Sequence, residues 1–136
     1  MEPEPAFDPV SVSGSTWSPP DSLRDLAQRG FANLVSEILD DFRTDVAARL
    51  VKLRQAVIAR DITIARNEVH SIKGSAAQMG ADALAEACRV LEVEAASAGW
   101  TLGDSQVEKI EGLFGRVAEE IERHPFSRRT GAAERT

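Results

Sequence analysis

Proline is absent from the whole central part of the chain, and this feature most restricts what the chain can fold into. Five of the six prolines lie within the first 20 residues, and the sixth is Pro125. Proline interrupts helices more strongly than any other residue, so the stretch between Pro20 and Pro125 can hold long helices. We therefore expect a flexible leader over residues 1–19, a folded domain over residues 20–124 and a flexible tail over residues 125–136.

Within the central part, apolar residues recur every three or four positions in four separate stripes. The stripes run from Phe31 to Val57, from Ile62 to Met79, from Leu84 to Ala95 and from Val107 to Ile121. Such one-sided stripes are typical of helices that pack on one another. A shorter helix is expected between Pro20 and Gln28. The sequence thus predicts an all-α fold, an antiparallel up-down four-helix bundle with a short extra N-terminal helix.

Residues that start or stop helices separate the stripes. Asp61 is suited to cap the start of the second long helix, and Asp104 to begin the fourth. Gly80 and Gly99 are suited to end the second and the third.

Composition narrows the classes of partner. A length of 136 residues fits one domain, and no apolar run approaches the roughly 18 residues of a membrane span. The net charge of −6 disfavours binding to nucleic acid or to an anionic membrane. The N-terminus lacks the pattern of a secretory signal, and the single cysteine, Cys88, suits a reducing cytoplasm. We expect a cytoplasmic monomer whose partner is another protein.

The candidate functional residue is His70, in the second stripe. At about 100° per residue, its side chain points about 130° away from the middle of the apolar stripe, and therefore outward. Arg66 and Lys73, at i−4 and i+3, place two cations near the imidazole, where they would stabilise a phosphoryl group. No acidic residue lies at i±3 or i±4, so the spacing indicates no carboxylate that would hold the ring.

Three further residues line the same part of the helix. Gly74, at i+4, lacks a side chain that would keep a partner away from the imidazole, and a mid-helix glycine costs about 0.5–1 kcal/mol relative to alanine. Ser75 and Gln78 can add hydrogen bonds at the margin of the site. Each residue also has a purely structural interpretation: an exposed histidine is often incidental, and Gly74 can be a packing glycine.

The pattern around His70 resembles that of the histidine-containing phosphotransfer, or HPt, domains. The family's His-x-x-Lys-Gly-Ser, a later Gly and Leu, and Cys-x-x-Leu-Glu correspond here to His70, Lys73-Gly74-Ser75, Gly80, Leu84, Cys88 and Leu91-Glu92. The resemblance extends more loosely from about Ser22 to Arg123.

The resemblance implies a role for each matching residue. His70 corresponds to the phosphoacceptor, Lys73 to the lysine beside the phosphoryl group, and Gly74 to the glycine that leaves the approach open. Gln78 lies where the family often has a polar residue that helps to position the imidazole. The residues that match at structural positions are Gly80, Leu84, Cys88 and Leu91.

HPt domains carry phosphoryl groups between the aspartates of receiver domains. The resemblance therefore implies a carrier rather than an enzyme, without a cofactor of its own, whose partners are the receiver domains of response regulators and hybrid histidine kinases. The Mg²⁺ of the reaction belongs to the receiver domain, and the family uses the ring nitrogen farther from the backbone.

Three alternatives stay open. The chain could be a phosphoacceptor module excised from a hybrid or chemotaxis-type histidine kinase, although Met1 and polar ends favour a free-standing protein. It could be a helical interaction module with an incidental histidine. A metal site at His70 or His124 is disfavoured because no ligand cluster surrounds either, and His124 is expected to interact favourably with the dipole of the last helix.

Overall fold

The predicted all-α class is confirmed by a computed structural model, which describes residues 16–96 and 102–127 and contains only helices and turns within them. Five α-helices follow one another along the chain: α1 (Asp21–Gln28), α2 (Ala32–Ala59), α3 (Ile62–Gln78), α4 (Asp82–Ala96) and α5 (Asp104–Arg123). A single turn of 3₁₀ helix, Pro125–Ser127, follows α5. None of these helices is long and apolar enough to cross a membrane.

The turn between α2 and α3 contains only two residues. Arg60 ends α2 in the left-handed conformation, with φ of 58°, and the Asp61 amide donates to the Ala56 carbonyl at 2.8 Å. The Asp61 carboxylate then accepts from the Ile64 amide at 3.1 Å. This is the cap expected at Asp61, and it satisfies an amide that would otherwise lack a partner at the start of α3.

The turn between α3 and α4 depends on Gly80. Its φ is +83°, and a Cβ atom there would lie 2.0 Å from the carbonyl oxygen of Ser18. Only glycine fits such a position without a shift of the backbone. The predicted end of the third long helix at Gly99 lies outside the described residues, and α5 begins at Asp104 as expected.

The apolar stripes meet in one core, in which α3 packs on α2 and α4, and α5 packs on α2 and α4. Val69 and Ile72 of α3 are fully buried, so the helix that carries His70 is anchored on its inner side. Cys88 is also fully buried, and burial, together with the nearby Glu92 carboxylate, raises the pKa of its thiol to about 12.

The packed region extends further at its N-terminal end than the sequence indicated. Trp17 is buried, and its indole N–H donates to the Met79 carbonyl at 2.7 Å. The Thr16 amide and hydroxyl both donate to Glu120 Oε2, at 2.8 and 2.6 Å. The predicted leader of residues 1–19 therefore ends with residues that pack on the bundle; residues 1–15 are not described.

The C-terminal end also differs from the prediction of a tail that starts at residue 125. Phe126 packs against the core, and the Ser36 hydroxyl of α2 donates to the Ser127 carbonyl at 3.2 Å. The 3₁₀ turn therefore belongs to the folded unit, and residues 128–136 lie outside the described part of the chain.

Candidate functional site

His70 lies on the outer surface of α3, next to α4. Its side chain is 69% exposed, while its neighbours Val69 and Ile72 are buried. The helix therefore presents the imidazole to solvent on a backbone that packing holds in place.

A carboxylate from α4 contacts the imidazole. Glu92 Oε2 lies 2.6 Å from His70 Nδ1, and the other carboxylate oxygen pairs with the Lys73 ammonium group. Glu92 thus bridges two residues that are one helical turn apart on α3. The side chains of Lys73 and Glu92 are half-buried, whereas the imidazole is the most exposed member of the group.

The protonation state of Glu92 fixes the role of each imidazole nitrogen. Partial burial alone would raise the pKa of the Glu92 carboxyl group, but hydrogen bonds from Lys73 and His70 outweigh it and lower the pKa below its usual value. An ionised carboxylate can only accept hydrogen bonds, so Nδ1 must carry a proton. In the neutral imidazole the lone pair then lies on Nε2, the nitrogen that points away from Glu92 and the backbone.

Glu92 is the residue that the helical spacing around His70 missed. It is 22 positions away in the chain and reaches the ring because α4 packs beside α3. No i±3 or i±4 rule can detect a residue on a neighbouring helix. The signal in the sequence is the Leu91-Glu92 pair of the HPt-like pattern, although the resemblance alone implies no role for the glutamate.

The two cations predicted near His70 differ in their surroundings. Lys73 pairs with Glu92, which partly neutralises its charge beside the imidazole. Arg66 is exposed on the preceding turn of α3 and forms no ion pair with any described residue. Arg66 is therefore available to an anion that approaches His70.

The surface beside Gly74 is open. Gly74 is exposed, and a Cβ atom built on it would meet no atom within 4 Å. Packing among the described residues therefore does not require glycine at this position. Because glycine has no side chain, nothing at position 74 projects from the helix beside the imidazole.

The structure does not bring Ser75 or Gln78 to the imidazole. Ser75 is half-buried and Gln78 is exposed, and neither side chain forms a hydrogen bond with another described residue. Gln78 lies eight residues after His70, which places it about 12 Å further along the helix axis.

The second histidine belongs to the packing at the end of the bundle. The His124 ring lies edge to face with Trp17 and Phe126, at centroid distances of 5.3 and 4.5 Å. Its Nδ1 accepts from the Phe126 amide at 3.0 Å, and burial, with the nearby Arg24, lowers its pKa. The sequence predicted that His124 would interact favourably with the dipole of the last helix. A ring with a lowered pKa is less often positively charged, so we assign His124 a role in packing instead. Neither histidine belongs to a group of three or more potential metal ligands among the described residues.

The chain matches a protein-family model. The family model described as "Hpt domain" matches residues 37–124, which include α3, α4, α5 and most of α2. No curated protein and no solved structure matches the chain.

Proposed function

Because the chain belongs to the Hpt domain family, we propose that it is a phosphorelay carrier, in which His70 accepts a phosphoryl group from the aspartate of one receiver domain and passes it to another. The contact between Glu92 and His70 Nδ1 carries the proposal, because it leaves the lone pair of Nε2 directed at solvent.

The proposed transfer forms one bond and breaks one. Nε2 attacks the phosphorus atom of an aspartyl phosphate, a P–N bond forms, and the P–O bond to the aspartate breaks with its electron pair on the leaving carboxylate. The imidazole becomes positively charged as the P–N bond forms. The Nδ1 proton remains hydrogen-bonded to Glu92, whose negative charge stabilises the ring. Transfer to the next receiver is the reverse of these changes.

The cations and the glycine have separate roles in this proposal. Arg66 interacts with the phosphoryl oxygens from the preceding turn of α3. Lys73 also interacts with the phosphoryl oxygens, from the following turn of α3, when its ammonium group moves partly away from Glu92. Gly74 allows the acidic pocket of the receiver to reach the imidazole. Ser75 and Gln78 form no hydrogen bond with the ring in the described structure. In this proposal they contribute only to the polar surface around His70.

Phosphoryl transfer requires positioning and charge neutralisation more than covalent chemistry by the protein. A carrier therefore needs little beyond an oriented nucleophile. We propose that the receiver domain supplies Mg²⁺ and the other catalytic groups, and that this chain works without an ATP site or cofactor of its own. We further propose an up-down arrangement of the four long helices in a cytoplasmic monomer. Its domain comprises residues 20–124 together with the flanking residues 16–19 and 125–127, which contain side chains that pack on the bundle.

The remaining alternatives differ in chemistry or in context. A module from a hybrid or chemotaxis-type kinase would use the same site within a larger chain. A helical interaction module would bind a partner without accepting phosphate. The oriented, exposed Nε2 favours the carrier and the kinase module over the interaction module.

Incubation with a phosphorylated receiver domain, or with a small phosphodonor, tests the proposal. We expect wild-type protein to gain phosphate that is labile in acid and stable in base, as a phosphoramidate is, and His70→Gln to gain none. His124→Gln is the matched control, because it removes the other histidine and should retain the full yield. Absence of phosphate on folded wild-type protein with several receivers, or equal phosphate on His70→Gln, would rule out the carrier function.

A further inference from the structure

An apolar groove lies between α2 and α5, away from the site at His70. Its volume is about 390 Å³, and the buried side chains of Leu50 and Phe114 form its floor. Val51 and Ile58 of α2 also line it. They are 58% and 74% exposed, more than any other large apolar side chain in the described part of the chain. An apolar surface that stays in contact with water in this way is typical of a protein–protein interface.

The groove lies on the flank of α2 that faces away from α3 and His70. Arg49 of α2 points towards α3, where it pairs with Glu68. Val51 follows Arg49 by two residues, which corresponds to about 200° of helical rotation. Val51 therefore projects away from α3, and a partner in the groove leaves the imidazole accessible.

The dimensions of the exposed apolar stripe suit a helix. Ala47, Val51 and Ile58 follow one another at steps of four and seven residues, so they lie on one side of α2. From Ala47 to Ile58, α2 rises by about 16 Å, which is about three helical turns. An amphipathic helix of similar length, with apolar residues at the same steps, can lie along this stripe.

The flank of α5 that borders the groove is acidic. Glu111 lines the groove, and three further carboxylates lie within about 60° of it around the helix: Asp104, Glu108 and Glu122. The cations of α5 lie about 120–160° away from Glu111, on the other side of the helix: Lys109, Arg116 and Arg123.

The cations of α2 leave this acidic flank largely uncompensated. Arg54, the second charged residue of the groove lining, donates to both carboxylate oxygens of Glu111, at 2.9 and 2.7 Å. Arg43, three turns earlier on α2, pairs with Asp40. Lys52, two residues before Arg54, points about 160° away from it. One pair, between Arg54 and Glu111, therefore crosses the groove.

Three carboxylates of the flank remain without an ion pair to a described residue: Asp104, Glu108 and Glu122. Hydrogen bonds to Glu111 raise the pKa of Arg54, and the negative charges of Asp104 and Glu108 contribute to the same shift. The border of the groove therefore has a net negative charge. A second copy of the chain would bring the same negative charge to this face, which disfavours self-association here.

From the exposed stripe, its length and its acidic border we propose that the α2–α5 groove binds a basic amphipathic helix of a partner protein. Apolar side chains of that helix pack on Val51 and Ile58, and its Lys or Arg side chains lie beside Asp104 and Glu108. Because the groove faces away from α3, this partner and a receiver domain at His70 can be bound at the same time.

Two synthetic helical peptides of about 14 residues, four helical turns, test the proposal. Both have leucine at steps of four, three and four residues; the flanking positions are lysine in one peptide and glutamate in the other. We expect the lysine peptide to shift amide signals of residues 47–58 and 104–118 of the ¹⁵N-labelled full-length protein several-fold more than those of residues 66–74. The glutamate peptide should cause no such shifts, and added salt should weaken binding of the lysine peptide.

Three results would overturn the proposal: no shifts with the lysine peptide, equal binding of the two peptides, or the largest shifts outside the groove. A two-fold contact between copies would instead appear as shifts in the groove that depend on protein concentration without any peptide, and would also overturn it.

Two substitutions that add the same charge provide a matched pair. Ile58→Lys removes apolar surface from the groove and repels the lysine peptide, so its affinity should fall about tenfold or more. Val93→Lys adds a cation on α4, outside the groove lining, and should retain the wild-type affinity. Both side chains are exposed, so both variants should stay folded, as circular dichroism can verify. Equal affinities of the two variants would show that the peptide does not bind in the groove. None of these measurements depends on phosphotransfer, so failure of the proposed function would leave them unaffected.

Discussion

At the scale of the residue, the central feature of the site is that the two oxygens of the Glu92 carboxylate have different partners. Glu92 binds the His70 imidazole with one oxygen and the Lys73 ammonium group with the other. The first contact selects the tautomer with its lone pair on Nε2, and the second holds the carboxylate itself in position. Loss of the carboxylate charge should therefore affect the orientation of the nucleophile before it affects the fold.

Glu92→Gln tests this orientation. The amide is nearly the same size but can also present an N–H group to Nδ1, which would favour the opposite tautomer. Because misplacement of a reacting atom by about 1 Å can cost about 100-fold in rate, we expect phosphoryl transfer to slow by about 10- to 100-fold. Rapid-mixing transfer kinetics measure the rate, and the ¹⁵N chemical shifts of the His70 ring report the tautomer.

Glu86→Gln is the matched control for Glu92→Gln. Glu86 is an exposed carboxylate on the same helix and pairs with Arg89 rather than with α3. Its loss should change neither the transfer rate nor the His70 ring shifts. A Glu92→Gln protein with wild-type kinetics and an unchanged tautomer would show that Glu92 does not orient the nucleophile.

At the scale of the element, α3 carries a glycine that its own packing does not need. Gly74 of α3 and Gly112 of α5 are both exposed helical positions where an added Cβ would meet no atom within 4 Å. Leucine has nearly the helix propensity of alanine. Gly74→Leu and Gly112→Leu should therefore each raise the free energy of unfolding, by about 0.5–1 kcal/mol, as measured by urea denaturation.

Phosphotransfer should separate these two glycine variants. Leucine at position 74 lies one turn from His70 and obstructs the approach of a receiver domain, whereas leucine at position 112 lies on another helix. We expect only Gly74→Leu to slow transfer, by about tenfold or more, which corresponds to about 1.4 kcal/mol in the transition state. Equal transfer rates in the two variants would remove the steric role of Gly74.

The sequence predicted the helices well because their determinants are local. The apolar period, the cap at Asp61 and the turn at Gly80 each depend on residues within a few positions of one another. The outward direction of His70 followed from the same period. Glu92 and Trp17 were not predicted, because each acts through a contact with a distant part of the chain. Trp17 also follows a proline-rich leader, which concealed its place in the core.

At the scale of the whole molecule, the first and the last described residues pack together at one end of the bundle. Trp17 connects the segment before α1 to the carbonyl of Met79, directly after α3, and its ring contacts His124 at the end of α5. Ser127 connects the 3₁₀ turn to α2. This cluster lies at the opposite end of α3 from its Asp61 cap, so the helix that carries His70 is fixed at both ends.

The same cluster makes stability depend on pH. Burial and the nearby Arg24 lower the pKa of His124 in the folded state, so the unfolded state binds more protons in the window below the ordinary histidine value of about 6.5. Stability contributed by neutral His124 is complete above that value and is lost as the pH falls through it towards the lower, folded-state value.

In a His70→Gln background His124 is the only histidine, and we expect urea denaturation to give a smaller free energy of unfolding at pH 5.5 than at pH 7.5. Adding His124→Gln should remove the histidine part of this difference and leave only the shallow dependence due to carboxylates. If the two proteins lose the same stability between these pH values, His124 is not held neutral by the contacts with Trp17 and Phe126.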